Sequence, residues 1–236
     1  MFKKLVSATA TVMLMIAGAA HADEASVKKA VEAHLETKVD AVKKLPFLGL
    51  YEVQAGSDIV YANEGATYII IGNIIDTKAK QNLTQARVNQ LSTIKFADLP
   101  LEMAVKTVRG NGKRVIATFE DPNCGYCKKL AREMQSLNDI TIYTFMIPIL
   151  SADSADKSKA VWCAPDRSKA WFDLMISGTV PPPGTCEVPT DKVLALSQRL
   201  KVNGTPAIFF SNGERMPGFV PAAKLEEKLK QIAAAK

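Results

Sequence analysis

Histidine is scarce in this chain: His21 and His34 are the two copies among 236 residues, and none follows position 34. The long C-terminal part therefore offers no imidazole to act as general base beside a cysteine, which removes a Cys–His hydrolase from consideration. Cysteine is sparse too, at four residues, so the chain is not a disulfide-dense small scaffold. Those four do not form two close pairs, because 22 residues lie between Cys163 and Cys186 with no histidine near them. A zinc site is not expected on that spacing, nor is any other metal or cofactor. A strong charge of one sign is also lacking. The 30 basic and 24 acidic residues are interspersed, as in residues 153–159 and 224–230, which describes a solvated surface and not a nucleic-acid-binding one.

Long apolar runs are missing beyond the N-terminus. Lys3-Lys4, an apolar stretch from Leu5 to Ala20 and the small-x-small sequence Ala20-His21-Ala22 predict a secretory signal cleaved between Ala22 and Asp23. An uncleaved anchor is the alternative, but the stretch falls short of the ~20 apolar residues that a membrane span needs. Removal of Lys3 and Lys4 leaves 28 basic and 24 acidic residues, a net charge of +4. Export implies an oxidising compartment, where cysteines are read as disulfide chemistry.

Residues 23–81 read as a small α+β module. Ser26 is placed to cap a helix in which Val27, Ala30, Val31, His34 and Leu35 recur at helical spacing. Strands are expected at Tyr51–Gln54 and Ile59–Tyr61 around a turn at 55–58, then at Tyr68–Ile71 and Ile74-Ile75. A unit of this size buries little surface alone, and its isoleucine-rich last strand is an aggregation hazard if left as an open edge. Pairing with a second copy removes both problems, so the module is expected to dimerise; the alternative is packing on the remainder of its own chain. Residues 82–104 read as a polar helical linker that Pro100 interrupts.

From about Val105 the pattern becomes strand–helix alternation. The apolar run Arg114–Phe119, a helix after it and the β-rich run Ile140–Ile147 form a parallel, right-handed βαβ unit. Residues 154–176 and 189–201 read as helical. Ala207–Phe210 and the segment around Arg215-Met216 form a hairpin at Asn212-Gly213, and Lys224–Ile232 is an amphipathic helix. The order βαβ, helical insertion, ββα is that of a thioredoxin fold. The expected class is therefore α/β, with a thioredoxin-like domain over 105–236 and the small module before it.

Cys124-Gly125-Tyr126-Cys127 stands between that first strand and its helix. A helix N-terminus favours negative charge, so Cys124 is expected to be the nucleophilic thiolate, and Cys127, one turn in, the resolving thiol. In a thioredoxin fold a cis Thr205–Pro206 peptide would face this dithiol. Thr205 would then pair its backbone with an extended substrate, and Gly125, Tyr126 and Pro206 complete the expected substrate-binding set. Glu120 and Asp121 are each able to relay a proton to Cys127 or to face solvent, and solvent is the expectation for Asp121. Cys163 and Cys186 are expected to form a structural disulfide over the helical insertion. Such a bond contributes roughly 3 kcal/mol in the chain-entropy model; a second redox-active pair is the alternative.

Taken together, the signal, the β-rich module, Cys124-Gly125-Tyr126-Cys127, the Cys163/Cys186 pair and Gly204-Thr205-Pro206 resemble the periplasmic DsbC/DsbG disulfide isomerase family of the thioredoxin superfamily. The resemblance covers nearly all of the mature chain and extends to Ser211-Asn212-Gly213 and Pro217-Gly218. It implies a V-shaped homodimer joined through the N-terminal domains, in the periplasm of a Gram-negative type of bacterium. It further implies attack by the first cysteine, a structural second pair, substrate contact by the threonine before the proline, and a membrane reductase of the DsbD type. The DsbG branch carries proline between its cysteines, so Gly125 favours the DsbC branch, whereas Lys128 after Cys127 departs from the family pattern. The expected activity is isomerisation, with a capacity for reduction, of incorrect disulfides in unfolded or misoxidised secreted proteins, together with chaperone activity. A DsbG-like holdase and a net thiol reductase or oxidase are the alternatives.

Overall fold

A computed structural model describes residues 23–56 and 58–235; the signal-peptide reading, on residues 1–22, lies outside the described residues. The chain divides into two compact units between Gly72 and Asn73.

In the first unit, α1 (Glu24–Leu35) begins at Asp23, whose carboxylate accepts the Ser26 N–H at 2.8 Å. Asp23, not Ser26, is thus the cap. Its backbone is extended, so its short carboxylate reaches an N–H that the first turn leaves free, while the Ser26 hydroxyl donates back to the Asp23 carbonyl. Strands β1 (Ala41–Lys44), β2 (Tyr51–Ala55), β3 (Asp58–Ala62) and β4 (Ile69–Ile70) follow as an antiparallel meander in that order. Val27 and Val31 of α1 pack with Val39, Tyr51, Val53, Ala62 and Ala66 to form this unit's core. β1 escapes sequence reading because it is largely exposed and carries little hydrophobic alternation. The isoleucine-rich strand is shorter than expected, and Tyr68, Ile70 and Ile71 remain exposed.

Residues 73–81, read as part of the first module, belong to the second unit. Strands β5 (Ile75–Asp76) and β6 (Gln81–Asn82) form a small hairpin leading into α2 (Leu83–Leu91). The Ile74 N–H donates to the Thr84 hydroxyl at 2.9 Å, and the Leu83 N–H donates to the Ile74 carbonyl at 2.9 Å. These bonds tie the hairpin to α2. Beyond it, single turns of 3-10 helix at Phe96–Asp98 and Leu101–Met103 stand on either side of Pro100.

The main sheet contains β7 (Val105–Arg109), β8 (Arg114–Glu120), β9 (Ile140–Met146), β10 (Ala207–Phe210) and β11 (Arg215–Pro217), in the order β11-β10-β8-β9-β7. β8 and β9 run parallel through α3 (Gly125–Met134), and the other pairings are antiparallel. This is the α/β arrangement expected from the sequence, with β7 added at one edge. The expected helix over 154–176 is two helices, α4 (Ser154–Cys163) and α5 (Arg167–Ser177). Pro165 lacks the N–H needed to continue the first, and Asp166 caps the second through the Lys169 N–H at 2.9 Å. Helices α6 (Thr190–Arg199) and α7 (Ala222–Ala234) complete the fold.

Both faces of the sheet are covered. Ile116, Ile142 and Ile208 pack with Leu130 and Met134 of α3 and Leu225 and Leu229 of α7. Phe119, Phe145 and Phe209 pack with Val193 and Leu196 of α6. Phe119 and Phe145 stack at 4.8 Å between centroids, and Phe209 meets Phe119 edge-on at 5.6 Å. The apolar run of β8 is thus a central strand, and its C-terminal end delivers the dithiol.

Candidate active site

β8 ends at Glu120, and the next three residues turn the chain into α3. The Cys124 N–H donates to the Asp121 carbonyl at 3.0 Å, which places Cys124 as the N-cap. Its sulfur takes the position that a serine oxygen normally fills and accepts the Cys127 N–H at 3.1 Å. The positive end of the helix therefore faces that sulfur. Cys124 is 4 % exposed, Cys127 is fully buried, and neither is disulfide-bonded in this structure.

The environment separates the two thiols. Cys124 is drawn down to about 6, chiefly by the hydrogen bond from the Cys127 thiol; burial works against this, and Thr205 and the N–H groups of Cys127 and Tyr126 add to it. Burial pushes Cys127 far above the ordinary thiol range, helped by its bond to Cys124 and the nearby Glu120 carboxylate. A thiolate at neutral pH is therefore confined to the first cysteine.

Across from Cys124, the Thr205–Pro206 peptide is cis, and the Cys124 thiol reaches the Thr205 carbonyl at 3.4 Å. Pro206 is buried, and its carbonyl accepts the Gly218 N–H at 2.7 Å. A side chain built on Gly125 would meet no described atom within 4 Å, so the approach to the dithiol is open there. Tyr126 is 60 % exposed, 6.4 Å from the Phe219 ring, with the Lys129 ammonium 5.2 Å from its own ring centre. The six residues of the expected dithiol and docking set thus meet at one end of the sheet.

The two carboxylates before the dithiol differ. Glu120 is completely buried, accepts the Thr118 hydroxyl at 2.7 Å on one oxygen, and has no partner among the described residues on the other. Burial raises its carboxyl to about 8. Asp121 does not face solvent as expected: it is completely buried, because four donors compensate the loss of water around its carboxylate. Sequence reading also passed over Asn123, whose side chain is within 2.9 Å of Ser151, Asp153 and Ser154. The available signal was Asp121-x-Asn123 ahead of the cap, where the Asn123 N–H bonds the Asp121 carboxylate two residues back.

Cys163 and Cys186 are bonded, with an S–S distance of 2.01 Å and 5.6 Å between their Cα atoms. Gly184 lies so close to Cys163 that a side chain there would overlap it, and the Trp162 indole N–H donates to the Glu187 carbonyl at 3.1 Å. Among the described residues, no cluster of three or more His, Cys, Asp or Glu is arranged to hold a metal ion.

Comparison with known proteins places the chain in a family. Residues 101–233 match a family model described as a thioredoxin-like domain, and residues 18–85 match the disulfide bond isomerase protein N-terminal domain, DsbC_N. The chain is 32 % identical over 225 residues to the thiol:disulfide interchange protein DsbC of Escherichia coli (strain K12), covering 93 % of this chain and 92 % of that one. The chain belongs to the DsbC family. A second DsbC relative, named "Probable thiol:disulfide interchange protein DsbC" in Bordetella pertussis (strain Tohama I), is 48 % identical over 191 residues. That match covers 81 % of this chain and 68 % of the relative. The crystal structure of a disulfide interchange protein from Neisseria gonorrhoeae superposes with a TM-score of 0.55 and 41 % identity. It covers 56 % of this chain and 97 % of that one. The DsbC_N match overlaps the described part of the first unit and runs on into α2.

Proposed function

We propose that this chain is a thiol:disulfide interchange enzyme that isomerises incorrect disulfides in secreted proteins of the periplasm. The observation that carries the reading is the asymmetric dithiol, Cys124 lowered to about 6 beside a Cys127 held protonated by burial. Cys124 thiolate attacks a substrate disulfide, forms a mixed disulfide and releases one substrate thiolate. A second substrate thiolate then attacks the substrate sulfur of the mixed disulfide, and Cys124 leaves as thiolate. One disulfide is broken and another made, with no net electron transfer. A low pKa at Cys124 serves both its attack and its departure.

When no substrate thiol arrives, Cys127 gives its proton to Glu120 in the ionised form, which with a carboxyl near 8 is about a tenth of the molecules at pH 7, and attacks Cys124. The Cys124–Cys127 disulfide closes, and the substrate leaves with both of its sulfurs reduced. Two electrons have then left the enzyme, and a membrane reductase of the DsbD type returns them. Substrate backbone docks at Thr205 and Pro206 beside Gly125 and Tyr126, a mode that reads main chain and so accepts many unfolded sequences. Cys163–Cys186 is a structural bond outside this cycle. The first unit joins two copies into a homodimer, whose shared cleft holds unfolded chains and gives the protein chaperone activity.

The deciding experiment is refolding of a scrambled disulfide protein by the parent and by Cys124→Ser. Reshuffling is expected to fall to the uncatalysed rate in the variant, while suppression of aggregation persists. Reshuffling that survives the substitution overturns the isomerase reading.

A further inference from the structure

Asp121 is three residues before the attacking sulfur and is completely buried. Its carboxylate is filled from both sides. Oδ1 accepts the Asn123 N–H at 2.7 Å and the Ser154 hydroxyl at 3.0 Å; Oδ2 accepts the N–H groups of Ile149 at 2.8 Å and Leu150 at 3.0 Å. Four donors meet the acceptor capacity of an ionised carboxylate. One donor lies in the turn leading to Cys124. The other three lie in the loop after β9 and at the start of α4, some 30 residues away in sequence.

The main chain of the same residue acts on both cysteines. Its carbonyl accepts the Cys124 N–H at 3.0 Å, and its backbone favours the Cys127 thiolate against the larger effect of burial. Asn123 extends the brace. Its amide oxygen accepts from the Lys157 ammonium at 2.6 Å, and that ammonium pairs with Asp153 at 2.6 Å. The bonds to Ile149 and Leu150 also fix the backbone of two residues whose apolar side chains stay about half exposed, at 46 % and 55 %.

We propose that Asp121 is a positioning residue for the reactive dithiol: its carboxylate locks the turn before Cys124 to the β9–α4 loop and so fixes the backbone groups that face the two sulfurs. The inference rests on the reading of Cys124 as the attacking thiol. An amide of the same shape cannot substitute. Asparagine offers one acceptor oxygen, and its NH₂ would point at donors that need an acceptor. The two loops then separate, the donors around Cys124 lose their aim, and its thiolate is less favoured.

The test uses the reduced full chain and the pH dependence of Cys124 alkylation by iodoacetamide in the parent, Asp121→Asn and Ser154→Ala. The parent midpoint is expected near 6. In Asp121→Asn it should rise by about one pH unit, which at pH 6 slows alkylation about fivefold through the loss of thiolate. Ser154→Ala removes one donor of the four and should move the midpoint the same way by less, slowing alkylation about twofold at pH 6. A merely structural carboxylate would lower stability in urea and leave both midpoints unchanged. An unchanged midpoint in folded Asp121→Asn overturns the inference; if that variant does not fold, an unchanged midpoint in Ser154→Ala does so. A parent midpoint near 9 overturns the reading of Cys124 instead, so the two failures are distinguishable.

Discussion

Cys124 and Glu120 bend the pH dependence of stability in opposite directions. The folded thiol titrates near 6 against 9.0 for an ordinary cysteine, so between those values the unfolded chain holds a proton that the folded chain has lost. Stability of the reduced form from this group is full above pH 9 and is lost as pH falls through 6, at roughly 1 kcal/mol per pH unit. Glu120 titrates near 8 when folded against 4.5 ordinarily, so its contribution is full below 4.5 and is lost as pH rises through 8. Urea unfolding of the reduced protein across this range is expected to show both slopes. Cys124→Ser should abolish the gain between pH 6 and 9, and Glu120→Gln the loss between 4.5 and 8; variants that keep the parent's curve would contradict the assignment. If Glu120 takes the Cys127 proton, Glu120→Gln should also slow closure of the Cys124–Cys127 disulfide by roughly 100-fold. Rapid acid quench and mass measurement of the accumulated mixed disulfide would follow this.

The elements around the site were legible to different degrees. Residues 114–120 announce a buried central strand, and Asn212-Gly213 announces a hairpin turn, with Gly213 at a φ of +86°. Neither pattern shows that the Gly213 carbonyl accepts the Ile94 N–H at 3.0 Å, because that bond joins segments more than a hundred residues apart. β7 stayed hidden because five residues with exposed Lys106 and partly exposed Arg109 signal little by themselves; pairing with β9 makes them a strand. The Cys163–Cys186 bond acts at this scale, closing a separation of 23 residues around α5. Replacing both cysteines by serine is expected to cost about 3 kcal/mol in urea unfolding. The midpoint of Cys124 alkylation should stay where it is, and a shift would give the second pair a part in the redox chemistry.

For the whole molecule, the exposed end of the first unit is the feature that calls for a partner. Tyr68 is 73 % and Ile71 84 % exposed beside β4, the last strand of its sheet. Apolar edge strands of this kind are normally covered or blunted with charge. If they are covered by a second copy, Ile71→Glu should move the full chain toward monomer in sedimentation velocity. Its Cys124 alkylation should be unaffected, because the groups that lower that thiol all belong to the second unit. A variant that sediments as the parent does would remove the β4 end from the interface.

The sequence by itself determined the alternation of strands and helices, the dithiol at a helix start and the pairing opportunity of Cys163 with Cys186. Those are local properties, written in periodicity, in cap position and in the identity of a few residues. It showed Glu120 and Asp121 as two adjacent acids before a cysteine, and made solvent the expectation for Asp121, which is buried. Only the tertiary structure separated them. Successive residues at the end of a strand point to opposite sides, so one carboxylate entered the space beneath the sulfurs with an oxygen that has no partner among the described residues. The other met four donors, three of them from a distant loop and the helix after it. Burial and partners for a charge depend on which distant segments fold over it, and no local pattern encodes that.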